Sequence, residues 1–280
     1  MPLLQILTVA LVQGITEFLP ISSQAHLILI PHATGWCDQD RVMDIAVHLG
    51  TLFAVLGYFW RDCLGLVRGA GALARGRLGD GEARLALHVL VATAPVLVAG
   101  YAVHAMEGLN LRSITVIGWA TLLFGLLLWA ADRWGARLDR LAQMTWGGAL
   151  IIGCAQVLAL IPGTSRSGIT MTAALLLGFQ RQDAARFSLL IAVPVILGAA
   201  TLAGFDLAAA GSAQLTAAAG LAAALAFLAA LGAIAAMMRW LERASFTPFV
   251  VYRVVLGVAL LVAVYGFGFG ATAPAGTCLQ

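Results

Sequence analysis

Apolar residues in this chain gather into long uninterrupted blocks. Six of them, at about 41–60, 86–104, 113–132, 186–204, 213–238 and 249–270, can cross ~30 Å of hydrocarbon as helices, and the pattern predicts six transmembrane spans. Two further apolar stretches, 3–35 and 144–180, are broken midway by a Pro and a run of polar residues. In the second, the part after the break, 169–179, has eleven residues. As helix it extends ~16 Å and cannot cross.

Charge orders these elements. The connection 61–85 carries Arg61, Arg68, Arg75, Arg77 and Arg84; 133–143 carries Arg133, Arg137 and Arg140; 239–247 carries Arg239 and Arg243. The two intervening connections hold Glu107 with Arg112, and Asp206. The positive-inside rule assigns the arginine-rich connections to the cytoplasm and the other two to the outside, and the assignments alternate across all six spans. Stretch 144–180 starts after Arg140 and ends at Arg181 and Arg186. It therefore enters and leaves by the cytoplasmic face as a re-entrant hairpin, with the tip "PGTSRSG" (162–168) at membrane depth. Irregular backbone is tolerated there only when buried in protein or lining a cavity.

Stretch 3–35 repeats the design. "VQGITEFLPISS" lies over "AQVLALIPGTSR" with Gln13 on Gln156 and, after a one-residue gap, Pro20 on Pro162. Three spans follow each hairpin, and because three is odd the second unit enters from the side opposite the first. The expected fold is all-α and integral to the membrane. It has six transmembrane helices and two re-entrant helical hairpins in a single domain, with inverted-topology repeats of about 1–140 and 141–280 and both termini outside.

Composition agrees. Charged residues make up 10% and hydrophobic residues 61%, with a mean hydropathy of +0.96; soluble domains carry about 25% charge. The recurring uncharged runs exclude a soluble helical core. The first apolar segment lacks a basic start and ends in "FLPISS" rather than a small-residue cleavage site, so it is expected to stay in the fold and not to act as a signal peptide. Cys37, Cys63, Cys154 and Cys278 lack metal-ligand spacing and read as packing or incidental thiols. Cys37 and Cys278 fall on the same outer side, which leaves a disulfide between them open. No nucleic acid is expected as a partner.

Two tips entering from opposite faces meet near the midplane, each followed by a short helix whose N-terminus points at the meeting place. Unpaired N–H groups and the positive dipole end make such a place an anion site. Arg166 adds a guanidinium that can grip phosphate oxygens bidentately. Gly163 and Gly168 permit close backbone approach, and Thr164, Ser165 and Ser167 supply hydroxyls; Thr170, one turn on, is counted with these substrate-binding residues. A phosphate or diphosphate is the expected anion.

The other tip, "QGITEFLPISSQAH" (13–26), supplies chemistry. On a helix beginning near Ser22, His26 is i+4 from Ser22 and i+3 from Ser23, so either hydroxyl reaches the imidazole as a nucleophile–base pair. An ionised Glu17 costs about 2.5–3.5 kcal/mol in a membrane helix and needs a wet cavity with a partner. It suits a divalent cation bridging to phosphate, or a general base. Plainer roles compete: Ser22 and Ser23 as helix caps, His26 as a simple hydrogen-bonder, Arg166 as a topology-setting charge. Asp44 and His48, one turn apart, face either the same cavity or the outer surface. His88 and His104 near span ends, and Pro194 in mid-span, take packing or kinking roles.

These motifs resemble those of the undecaprenyl-diphosphate phosphatases, the integral-membrane bacitracin-resistance family. "QGITEFLPISSQAHL", "HLGTLFAVL" and "PGTSRSG" carry the likeness, and "FSLLIAVPVILGA" and "SFTPFVVYR" extend it over essentially the whole chain. The resemblance implies hydrolysis of the C55 polyprenyl carrier's diphosphate to the monophosphate for peptidoglycan synthesis, with a divalent cation, Mg²⁺ or Ca²⁺. It also implies a site opening to the periplasm from the bacterial inner membrane. Carried over residue by residue, it makes Glu17 the essential glutamate and Ser22 and Ser23 the motif serines. His26 becomes the family's histidine, and Ser165 and Arg166 the pair gripping diphosphate. Gln13 stands where other members often carry Glu, which puts a metal-ligand role there in doubt. Gln24-Ala25 replaces the commoner Ser-Gly or Thr-Gly, a change expected to alter loop packing more than chemistry.

The expected activity is hydrolysis of undecaprenyl diphosphate to undecaprenyl phosphate and inorganic phosphate, with the C55 tail lying between helices. Ser23 is the expected nucleophile, His26 its acid/base partner, and Glu17 a base or metal ligand. Arg166 and the helix N-termini stabilise the charged transition state. Direct water attack, with Ser23 only binding phosphate, stays open. The alternative is a transporter or flippase of lipid phosphate, because half-helix N-termini at a midplane site also suit transport. A homo-oligomer is compatible with the sequence.

Overall fold

The computed structural model describes residues 1–77, 79–105, 113–209 and 217–269. Among these residues the chain forms α1 (Leu3–Thr16), α2 (Ser23–Thr34), α3 (Arg41–Tyr58), α4 (Trp60–Ala74), α5 (Gly81–Ala105) and α6 (Ile114–Trp134). It continues with α7 (Trp146–Val157), α8 (Arg166–Leu176), α9 (Arg181–Ala209), α10 (Ala217–Leu241) and α11 (Thr247–Phe267). Helices α3, α5, α6, α9, α10 and α11 are long and apolar enough to span a membrane. They coincide with the six expected blocks to within a few residues. Each buries only 28–44% of its most apolar window, so most of that surface faces outward, where lipid alone solvates it. The chain is an all-α, multi-pass membrane protein.

Helices α1 and α2 have 14 and 12 residues and α7 and α8 have 12 and 11. At ~16–21 Å they are too short to cross, and they pair as the two expected hairpins. One element was not anticipated. The connection 61–85 contains α4, an amphipathic helix that buries Gly65, Gly69 and Ala72 and exposes Trp60, Leu64 and Val67. Its five arginines mark a cytoplasmic connection in the sequence and hide the helical period between them.

Contacts fix the direction of the elements. Helix α1 runs alongside α10 so closely that a Cβ on Gly14 would stand 2.7 Å from the Ala226 carbonyl, and a Cβ on Gly153 of α7 would stand 2.6 Å from the Ala92 carbonyl of α5. Helices α6 and α11 are antiparallel, with Gly118 beside Leu261 and Gly125 beside Arg253. Arg186 at the start of α9 pairs with Asp62 at the α3–α4 corner. Asp132 at the end of α6 holds Arg181 Nε at 2.5 Å and accepts the Phe246 N–H at 3.0 Å, so the starts of α9 and α11 meet there. Thus α1, α3, α6 and α10 run one way and α5, α7, α9 and α11 the other. The two hairpins enter from opposite ends, and the arginine-rich connections share one end.

Cys63 and Cys154 are free thiols; burial, with Asp62 beside it, pushes the Cys63 thiol up. Cys278, and with it the pairing weighed for Cys37, lies outside the described residues, as do Glu107 and Arg112.

Candidate active site

Both hairpin tips use the same device. Ser22 and Ser165 precede the first residue of α2 and α8 with φ of 71° and 70°, a left-handed conformation that costs a non-Gly residue about 1–3 kcal/mol and concentrates at functional sites. Each serine accepts the backbone N–H three residues on, from Ala25 at 3.4 Å and Gly168 at 3.1 Å. The capping role weighed for both motif serines belongs to Ser22. This cap match sets Ser22 against Ser165 and Ser23 against Arg166, one residue off the register obtained by aligning the prolines. The two helices therefore open with Ser23 and Arg166, one from each tip.

The tips meet at Glu17. Its Oε2 accepts the Ser23 hydroxyl at 2.6 Å and the Gln13 amide at 3.0 Å, while Oε1 accepts Arg166 Nη2 at 3.3 Å. The Phe18 ring lies 5.9 Å from the Arg166 guanidinium, and the Ser167 hydroxyl donates to the Leu19 carbonyl at 2.9 Å, joining one tip to the other. The Glu17 and Arg166 side chains are only 8% and 13% exposed. Desolvating either charge alone costs several kcal/mol, and each offsets the other's cost.

A second arginine locks the junction. Arg253, fully buried in α11, donates to the carbonyls of Pro20 (3.2 Å) in the first tip and Gly163 (3.0 Å) in the second. It also donates to Thr121 (3.1 Å) and Ala120 (3.4 Å) on α6. Sequence reasoning missed it. The signal was present: one ionisable residue inside an otherwise uncharged apolar block is a site candidate by default.

Several expectations are corrected. Ser23 and His26 do not pair. His26 Nδ1 donates to the Ser22 carbonyl at 2.7 Å and Nε2 accepts the Tyr252 hydroxyl at 2.5 Å, so both ring nitrogens are engaged. Helical spacing permitted the Ser23 contact, but the imidazole folds back on its own helix and across to α11, leaving Ser23 to Glu17. The glycines give clearance to protein and not to an anion. A Cβ on Gly163 would stand 2.6 Å from the Ile117 carbonyl, and one on Gly168 would stand 2.8 Å from Arg253 Nη1. The hydroxyls of Ser165, Ser167 and Thr170 are also engaged within the protein, Thr170 with the Arg166 carbonyl at 2.9 Å and Ser188 at 2.7 Å. They shape the loop that carries Arg166. Thr164 is buried with its hydroxyl unpartnered.

Asp44 and His48 face the cavity. With Glu17, Arg166 and the α9 residues Val195, Ala199 and Ala203 they line a space of about 270 Å³, and His48 Nε2 lies 3.9 Å from Glu17 Oε2. Among the described residues no group of three or more His, Cys, Asp or Glu converges to hold a metal. Glu17 and Asp44 still suit a Mg²⁺-like ion, which takes one or two carboxylates and completes its shell with phosphate oxygens and water. Gln13 leaves only a buried Oε1 without a hydrogen-bond partner. Next to this cavity, an apolar groove of about 690 Å³ runs between α5 and α9 past Leu97, Gly100, Tyr101 and Leu202, sharing Val195, Ala199 and Ala203 with it.

A family model described as "Bacitracin resistance protein BacA" matches residues 6–259. Among similar curated proteins, the "Undecaprenyl-diphosphatase" of Ruegeria pomeroyi is 51% identical over 267 residues, 95% of this chain and 100% of that protein. The "Undecaprenyl-diphosphatase" of Alcanivorax borkumensis is 50% identical over 92% of this chain and 97% of its own length. The "Undecaprenyl-diphosphatase 1" of Rhodospirillum rubrum is 49% identical over 95% and 96%.

Proposed function

The chain belongs to the bacitracin resistance protein BacA family, and from that premise we infer that it hydrolyses undecaprenyl diphosphate to undecaprenyl phosphate and inorganic phosphate. Recycling the carrier in this way serves peptidoglycan synthesis and confers bacitracin resistance. The observation that carries the chemistry is a carboxylate, Glu17, bonded at once to the first-turn hydroxyl of one tip and the guanidinium of the other.

In the mechanism this geometry supports best, Arg166 turns its planar fork from Glu17 to the terminal phosphoryl oxygens, which carry more charge as the transition state forms. Glu17, relieved of that bond, takes the Ser23 proton as Ser23 Oγ attacks the terminal phosphorus. The anhydride P–O bond breaks, and undecaprenyl phosphate leaves with the bonding pair. Glu17 hands the Ser23 proton to the departing undecaprenyl phosphate and, a carboxylate again, takes a proton from water whose oxygen attacks the phosphorus of phosphoserine. It returns that proton to Ser23 Oγ as the Ser23 O–P bond breaks and phosphate is released. Glu17 and Asp44 would hold a divalent cation, which would supply further charge neutralisation at the phosphate oxygens. His26, bonded to Tyr252, holds the first turn of α2 against α11 and so sets the position of Ser23. The apolar groove between α5 and α9 suits the prenyl tail, because it shares Val195, Ala199 and Ala203 of α9 with the charged cavity.

Orientation follows from charge. The positive-inside rule assigns the arginine-rich end to the cytoplasm. The cavity lies among the first turns of α3 and the far half of α9, toward the opposite, periplasmic side of the inner membrane. The two halves read as inverted repeats, a reading supported by the matched serine caps and by α1 lying on α10 as α7 lies on α5. Transport of lipid phosphate finds no support in the relatives described, which carry the names of phosphatases. Phosphate release from undecaprenyl diphosphate by the purified protein tests the assignment: wild type should release it and Glu17→Gln should not. A Glu17→Gln protein as active as wild type would overturn the role given to this junction.

A further inference from the structure

The end of the molecule remote from Glu17 holds a second polar cavity. It has a volume of about 340 Å³, and its walls include Arg61 and Asp62 of α4, Glu82, Arg84 and His88 of α5, and Arg186 of α9. That size falls within the ~300–1,000 Å³ typical of small-ligand pockets. Both carboxylates are engaged: Asp62 holds Arg186, and Glu82 accepts Arg68 at 2.7 Å. Arg61 and Arg84 have no counter-charge among the described residues, Arg61 resting on the Trp60 ring at 5.2 Å. Arg186 keeps a buried Nε without an acceptor. The cavity therefore offers unfilled guanidinium donors and excess positive charge, which a phosphate group answers with several acceptor oxygens.

The surroundings say what carries that phosphate. Helix α4 exposes Trp60, Leu64 and Val67 on one stripe, at 53%, 51% and 70%. Trp146, exposed at 54%, stands edge-on to His88 at 6.0 Å. An apolar stripe beside arginines, with tryptophans at the margin, is the signature of a helix lying in the membrane interface. Basic recesses at that level, on the cytoplasmic side of membrane proteins, take lipid headgroups. We propose that the Arg61–Arg84–Arg186 cavity binds the phosphate headgroup of an anionic membrane phospholipid, whose acyl chains lie along Trp60, Leu64 and Val67. The site is separate from the hydrolytic one and holds the interfacial helix against α5 and α9.

Native mass spectrometry of the detergent-purified full chain tests this with short-chain phosphatidylglycerol, phosphatidylcholine of the same chain length, and inorganic phosphate as probes. Wild type should retain phosphatidylglycerol in preference to phosphatidylcholine. The double variant Arg61→Gln/Arg84→Gln should bind phosphatidylglycerol about 30-fold more weakly, the loss expected of two arginines at a membrane surface. Its monodispersity and its phosphate release from undecaprenyl diphosphate should stay as in wild type, and Arg84→Lys should lose less, because charge is kept. Equal retention of phosphatidylcholine, protection by inorganic phosphate as strong as by the lipid, or undiminished binding in the double variant would each overturn the proposal.

Discussion

Ser23 and Glu17 should behave as a coupled pair, and Ser23 and His26 should not. The Ser23–Glu17 bond of 2.6 Å lies in the ~2.5–2.7 Å range of a hydroxyl on a carboxylate. A positioned base contributes about 10²–10⁴ in rate, or ~2.7–5.5 kcal/mol of barrier. Glu17 also holds Arg166 at 3.3 Å, so Glu17→Gln removes the base and unsettles the phosphate grip together. A loss of ~10³–10⁴ is expected for it, toward the upper end of that range. Ser23→Ala should lose ~10²–10³, and the double variant should be no slower than Glu17→Gln alone, a coupling of ~10²-fold, because neither group acts without the other. His26→Ala should cost ~10-fold through a displaced α2, and its effect should multiply with that of Ser23→Ala to within about threefold. The assay is single-turnover phosphate release from a prenyl diphosphate by each purified variant. A ~10²-fold coupling between Ser23 and His26, with Ser23 and Glu17 multiplying independently, would refute the pairing.

Four further outcomes follow. Arg166→Lys keeps the charge but loses the planar fork, and should lower phosphate release by ~30- to 10³-fold in kinetic assays of the purified variant. Arg253→Met leaves the Pro20 and Gly163 carbonyls without their donor at about 1–3 kcal/mol each. Its thermal unfolding midpoint should fall with its activity, and Arg253→Lys should recover part of both. Ala199→Phe adds bulk to the α9 wall that the cavity and the apolar groove share, so KM should rise for a long prenyl diphosphate and stay near wild type for a short one. In a background without native cysteines, a membrane-impermeant thiol reagent applied outside intact cells should label Trp36→Cys and spare Arg75→Cys; the opposite pattern would invert the orientation.

The pattern of the chain determined a great deal by itself. Six spans, two interrupted hairpins and the clustering of arginine at one end are consequences of hydrocarbon thickness and the cost of charge, both set by local composition. Glu17 and Arg166 stood out because ionisable groups in apolar surroundings need partners. Which partner each takes was not legible. Ser23 lies three residues from His26 and six from Glu17, and helical spacing favoured the nearer group. The turn at Ser22, held by a left-handed backbone and a serine cap, aims the Ser23 hydroxyl back at Glu17 instead. Arg166 reaches Glu17 across 149 positions of sequence, and Arg253 reaches Pro20 across 233. Contacts at such separations exist only because antiparallel packing brings two tips and α11 to one point. Asp44 and His48 had two faces open to them until α9 packed against α3 and closed one. Local chemistry chose the groups, and the crossing of distant helices decided which of them touch.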